Sequence, residues 1–147
     1  MSQRHTTVLV AFATFVGLSI LTFVGWTFKR TPPAPTPASD VFERISIADF
    51  RSAYDSKEIT VIDVRPIEAF VAAHVPGALH IPLSRVEGEI PYLPKGKPIV
   101  TYCTCPAEET SGQAALILAR GGIKAAALAG GLDAWTGAGY PTASGVQ

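Results

Sequence analysis

The sequence predicts an α/β domain with a largely parallel sheet, standing behind one apolar N-terminal helix, and three observations carry that reading. From Val41 onward, strand-like and helix-like segments alternate. Two of the strand-like runs, Ile59 to Val64 and Ile99 to Tyr102, are predominantly apolar, as strands covered on both faces are. Ahead of Val41 lies a charge-free run, Val8 to Phe28, followed by proline-rich chain.

That first run reads VLVAFATFVGLSILTFVGWTF. As a helix it would be about 31 Å long, which matches a hydrocarbon core of about 30 Å. A buried core helix is one alternative and a cleaved signal peptide is the other. The signal peptide is disfavoured because the run exceeds a usual apolar region of roughly 7 to 15 residues and no clean small-x-small site follows. The expectation is therefore a single-pass anchor in the cell membrane. Arg4 on one side and Lys29 with Arg30 on the other nearly balance, so the positive-inside rule does not orient it. Thr31 to Ser39 reads TPPAPTPAS, an extended, semi-rigid spacer. The expected division is a tail at 1–7, the anchor at 8–28, a linker at 29–40, the α/β domain at 41–143 and a tail at 144–147.

Within the domain, Phe42 to Ile45 suits a short strand and Ser46 an N-cap. Ile47 to Tyr54 suits a helix with Ile47, Phe50 and Tyr54 on one face. The strands Ile59 to Val64, Ala78 to Ile81, Ile99 to Tyr102 and Ala125 to Leu128 follow, with helices around Glu68 to Ala73, Thr110 to Arg120 and Leu132 to Thr136. Gly130 and Gly131 suit a tight turn before the last helix, and Trp135 suits the core.

Twelve basic and twelve acidic side chains cancel. That balance gives no global field to recruit nucleic acid, so none is expected as a partner. The mean hydropathy is positive, and the N-terminal run explains it. Only two cysteines occur, Cys103 and Cys105, so no disulfide closes a long loop. With His5, His74 and His80 they do not make a zinc set, and neither a metal nor an organic cofactor is expected.

The chemistry is concentrated between Pro98 and Ser111, where a buried strand passes through a short loop into a helix. Amides of such a loop, and of the first helical turn, point at whatever sits at the strand's end. The helix dipole adds partial positive charge there. A thiolate in that place is stabilised and becomes the species that attacks sulfur and holds it as a persulfide.

Several stretches together resemble the rhodanese family. They are Val61-Ile62-Asp63-Val64-Arg65, Glu68-Ala69-Phe70, His74-Val75-Pro76-Gly77-Ala78-Leu79-His80-Ile81-Pro82, Tyr102-Cys103, and Leu128-Ala129-Gly130-Gly131-Leu132-Asp133-Ala134-Trp135. Each alone is weak, but their order and spacing are specific and cover nearly everything after Val41. The resemblance implies a five-stranded parallel sheet flanked by helices, an active-site loop after the fourth strand, and transfer of sulfane sulfur through a cysteine persulfide. The partners it implies are a sulfur donor, a protein persulfide among the options, and an acceptor thiol.

Two counts compete for the nucleophile. From the strand, Cys103 stands where the family places its cysteine; from the helix, Cys105-Pro106-Ala107-Glu108-Glu109-Thr110 has the family's loop length. Cys103 is favoured because Pro106 lacks an N–H and removes a donor after Cys105. Thr104 and the residues from Pro106 to Thr110 then line the substrate loop. Many relatives carry a cation there; this loop has Glu108 and Glu109, which complement the helix dipole and would oppose a small dianion such as thiosulfate. Asp63, Arg65, Glu68, His74 and His80 read as structural residues that tie strand ends and loops.

Alternatives from other classes remain open at this point. The two thiols could serve a membrane-tethered redox or persulfide-binding module. A phosphatase or arsenate reductase would need an arginine closing the loop, and none is there. A non-catalytic interaction domain would have no use for the thiol at the family position.

Overall fold

In the computed structural model residues 41–146 are described. The expected anchor at 8–28 and linker at 29–40 therefore lie outside the described residues, and among those described no helix is long and apolar enough to cross a membrane.

The elements run β1 (Arg44–Ile45), α1 (Ile47–Asp55), β2 (Thr60–Asp63), α2 (Ile67–Ala72), β3 (Leu79–His80), α3 (Leu83–Glu89), a 3-10 turn (Ile90–Tyr92), β4 (Ile99–Tyr102), α4 (Glu109–Arg120), β5 (Ala125–Leu128) and α5 (Gly131–Gly137). The five strands form one sheet in the order β1-β5-β4-β2-β3, and every pairing is parallel. All strand carboxyl ends therefore lie along one edge, where open α/β sheets place their sites. β4 is central: Asp63 of β2 stands opposite Tyr102, and Ala127 of β5 opposite Thr101.

Alternation along the strands sorts side chains into two cores. Val61, Val100, Tyr102 and Leu128 pack with Phe50 of α1, Phe70 of α2, and Leu132 and Trp135 of α5. On the other face Ile62, Ile99, Cys103 and Ala125 pack with Val86 of α3 and Ala114, Ala115 and Leu118 of α4. Each large apolar side chain buried this way contributes about 1.5–3 kcal/mol. Trp135 is fully buried and keeps its indole N–H satisfied on the Pro141 carbonyl at 2.7 Å.

Most sequence expectations land within a residue or two. Ser46 caps α1 by accepting from the Asp49 amide at 3.2 Å, and Ile47 and Tyr54 pack beside Phe50 as their spacing implies. α3 is not among the expected helices, and Pro82, Gly88 and Pro91 are residue types that locally disfavour one. In the fold Pro82 occupies the N-cap of α3 and Pro91 the following turn, both positions that spare an amide. The final residues are also tied further than the boundary at 143 implies: the Gly145 amide bonds the Val71 carbonyl at 2.8 Å.

Because the described residues pack both cores among themselves, a chain beginning at Ser39 should remain soluble and melt in one cooperative transition. Scanning calorimetry or thermal circular dichroism of that shortened chain checks this; aggregation without a transition would show that the preceding residues complete the core.

Candidate active site: the loop after β4

β4 ends at Tyr102, so Cys103 is the first residue beyond it. The strand alternation that buries Ile99 and Thr101 toward α4 carries on to Cys103, which is only 2% exposed. Thr101 fixes the spacing, since its hydroxyl donates to the Ser111 carbonyl in the first turn of α4 at 2.8 Å. Tyr102 turns the opposite way, and its hydroxyl accepts the Val75 amide at 3.1 Å. Burial, then the nearby Asp63 charge, pushes the Tyr102 phenol pKa up, so it stays protonated.

The two sulfurs are joined in a Cys103–Cys105 disulfide with the Cα atoms 5.7 Å apart. The pair is asymmetric: Cys103 is buried and Cys105 is half-buried. Cys103 Sγ accepts the Cys105 amide at 3.3 Å and lies 3.5 Å from the Ser111 hydroxyl. Above it begins α4, whose first backbone bond within the helix runs from Gly112 to the Glu108 carbonyl. The Glu109, Thr110 and Ser111 amides find no backbone acceptor among the described residues. They are the donor-rich, partially positive end expected to favour an anionic sulfur.

The loop itself is a turn closed by the Glu108 amide on the Cys105 carbonyl at 3.1 Å. Thr104, Pro106, Ala107 and Glu109 are exposed on it and Thr110 is half-buried. Glu108 sits at the N-cap with a left-handed φ of 54°, and its side chain departs from expectation. It is buried rather than facing the loop mouth. One carboxylate oxygen accepts the Gly130 amide at 2.8 Å, and the other accepts Arg44 Nε at 3.0 Å. The Gly130 bond, with Arg44 assisting and burial opposing, holds the Glu108 carboxyl below its ordinary range. Its charge is thus spent on joining β1, α4 and α5. Glu109 is left as the exposed acid of the loop.

Behind the loop, α5 begins against Cys103. The Leu132 amide donates to the Cys103 carbonyl at 2.9 Å. A Cβ at Gly131 would lie 2.0 Å from that same oxygen, and Gly131 has φ +55°. Only glycine permits this approach.

The other expected residues do not converge on the sulfurs. Asp63 accepts Arg65 Nε at 2.9 Å and Nη2 at 2.6 Å, and Arg65 also donates to the Ala73 carbonyl. Burial works against the Arg65 charge, but its hydrogen bond and attraction to Asp63 outweigh this and raise its pKa. His74 is buried, with Nδ1 donating to the Phe70 carbonyl at 2.8 Å. His80 Nε2 donates to the Arg65 carbonyl at 2.9 Å. Glu68 stands exposed in the first turn of α2 with no hydrogen bond to a loop among the described residues. Among the described residues no group of three or more His, Cys, Asp or Glu could hold a metal. Sequence reasoning missed Ser111, Arg44 and the Leu132 amide. Only Ser111 carried a local signal, as a hydroxyl in the first turn of a helix that follows a cysteine loop.

A family model described as the rhodanese-like domain matches residues 46–138. An HTH-type transcriptional regulator of Mycobacterium tuberculosis, Rv0324, is 30% identical over 103 residues, covering 70% of this chain and 46% of its own. The Bacillus subtilis protein named "Putative sulfur carrier protein YrkF" is 36% identical over 95 residues, 63% of this chain and 50% of its own. The chain thus spans about half the length of these relatives. Among solved structures, the BH2092 protein of Bacillus halodurans is 31% identical with a TM-score of 0.64, covering 69% of this chain and 77% of that one.

Two outcomes follow from the geometry. The folded-state pKa of Glu108 lies below the 4.5 of a free glutamate, so its stabilisation is complete above that value and is lost as pH falls through the folded pKa. Glu108→Gln should therefore flatten the acid side of a plot of melting temperature against pH, and an unchanged slope would remove Glu108 from that role. Gly131→Ala should cost about 1–3 kcal/mol or more through backbone strain alone. A melting temperature equal to the parent's would mean that α5 shifts freely away from Cys103.

Proposed function

The chain belongs to the rhodanese-like domain family, and from that premise we propose that it is a sulfurtransferase, moving sulfane sulfur from a donor to a thiol through a persulfide on Cys103. The observation that carries the reading is the position of Cys103 at the end of the central strand, with the Cys105 amide and the Ser111 hydroxyl on its sulfur beneath the first turn of α4. In the reduced chain the Cys105 amide and the positive end of α4 favour the thiolate over the thiol. The thiolate attacks the outer sulfur of a donor persulfide, forming the new S–S bond and releasing the donor as its thiolate. An acceptor thiolate then takes that outer sulfur and returns Cys103 to its starting state, a ping-pong cycle.

Proton transfer is not demanding here, because attacking and leaving groups are both thiolates. No histidine or carboxylate on the sulfur is needed. The loop from Cys103 to Thr110 contains no cation and exposes Glu109, which supports a persulfide of a small thiol or of a protein over thiosulfate. The sulfur-carrier name of one relative supports the same class of partner. The uncharged run from Val8 to Phe28 supports a single-pass membrane tether for this activity. The Cys103–Cys105 bond also favours a second reading, a tethered redox module that cycles between dithiol and disulfide.

Cys103→Ser should abolish sulfur uptake from glutathione persulfide, whereas Cys105→Ser should keep it at a reduced rate. Mass spectrometry of peptides from the loaded protein checks which thiol gains a sulfur atom. Uptake that survives Cys103→Ser and vanishes in Cys105→Ser would reverse the assignment. Uptake by neither variant nor the parent would leave the redox module.

A further inference from the structure

A transferase that carries its sulfur on one cysteine needs no second thiol, yet this loop holds one close enough to bond. With the Cys103–Cys105 bond closed, β4 runs to Tyr102 and α4 starts at Glu109, so both elements are formed in the bonded state. In that state the carbonyl of Cys103 accepts the Leu132 amide and its sulfur lies by Ser111. Cys105 alone supplies the approach from solvent: it is half-buried and flanked by exposed Thr104 and Pro106, while Cys103 is enclosed.

Resting on persulfide formation at Cys103, we propose that Cys105 is a resolving thiol that discharges this persulfide as sulfide and leaves the Cys103–Cys105 disulfide. The step balances without an added oxidant. The Cys105 thiol attacks the inner sulfur of the Cys103 persulfide anion. The Cys103–Cys105 bond forms, the bond to the outer sulfur breaks, and hydrosulfide leaves carrying the electron pair and the proton lost by Cys105. The sulfane sulfur is reduced and the two cysteine sulfurs are oxidised.

The product in turn defines the reaction that must follow. A disulfide is restored to two thiols by a dithiol, through attack on one sulfur and expulsion of the other as thiolate. Cys105, half-buried where Cys103 is enclosed, is the member of the pair that a nucleophile reaches. Cys103 is then the leaving thiolate, held by the Cys105 amide at the start of α4. The partner class is therefore a dithiol reductant, and one full cycle converts a persulfide and a dithiol into a thiol, sulfide and a disulfide.

The test uses the full chain in detergent, reduced, freed of reductant and given glutathione persulfide without an acceptor. The parent should release one sulfide for each disulfide it forms and then stop, and dithiothreitol should restart it. Cys105→Ser should instead keep the extra sulfur on Cys103 and release at least tenfold less sulfide. A parent that holds a lasting persulfide on Cys103 with both thiols otherwise free would overturn the resolving role and leave the transferase reading standing. A persulfide retained by Cys103→Ser and not by Cys105→Ser would overturn it by reversing the roles. If neither the parent nor Cys105→Ser takes up sulfur or forms sulfide, the transferase reading fails as well.

Discussion

The arrangement depends on the contact between the end of β4 and the start of α5, where the Leu132 amide meets the Cys103 carbonyl across a glycine that leaves no room for a side chain. A backbone hydrogen bond of this kind contributes only about 1 kcal/mol net. Its larger effect is directional. With the carbonyl pinned behind the loop, the Cys103 side chain continues the strand's alternation toward α4 and meets Ser111. The same turn presents the Gly130 amide to Glu108, so α4, α5 and β1 are held together at the edge where the sulfur sits.

Charge is organised by the same economy. The buried ionic groups near the site are occupied with structure: Asp63 with Arg65, Glu108 with Arg44 and an amide. Removing one member of a pair as enclosed as Asp63 and Arg65 would strand the other, which is why such pairs constrain a fold more than they stabilise it. The sulfur consequently meets the Cys105 amide, the Ser111 hydroxyl and a helix end rather than charged side chains. An environment of that kind stabilises a thiolate through fixed dipoles, which need no reorganisation as charge moves from the cysteine to a leaving sulfur and back.

The two thiols differ because of packing rather than because of their neighbours in sequence. Cys103 belongs to the apolar cluster that contains Ile62, Ile99 and Leu118, whereas Cys105 only borders it. A buried sulfur with donors and a half-exposed sulfur beside it make a directional pair: one stores charge and the other meets solvent. That direction connects the sheet's alternation to the order of the proposed chemical steps.

Much of the fold is written in local signals. Ser46 as a cap, the apolar runs of β2 and β4, the glycines before α5 and the place of Trp135 all follow from propensities and periodicities that act over a few residues. So does the presence of two thiols between a strand and a helix. What local signals miss is equally specific. Pro82 and Pro91 look like breaks but occupy helix-start positions, so α3 is legible only from its packing against α4. Glu108 looks like a loop charge, yet its partner Arg44 is 64 residues away, and such a pairing has no signature in the loop itself. The sequence by itself determined the sheet's strands, the cysteine loop and the absence of a loop cation, because these depend on residue type and short spacing. Only the tertiary structure decided that Cys103 is enclosed, that Cys105 is the sulfur solvent reaches, and that Glu108 is turned away, because each follows from which distant elements close around the end of β4.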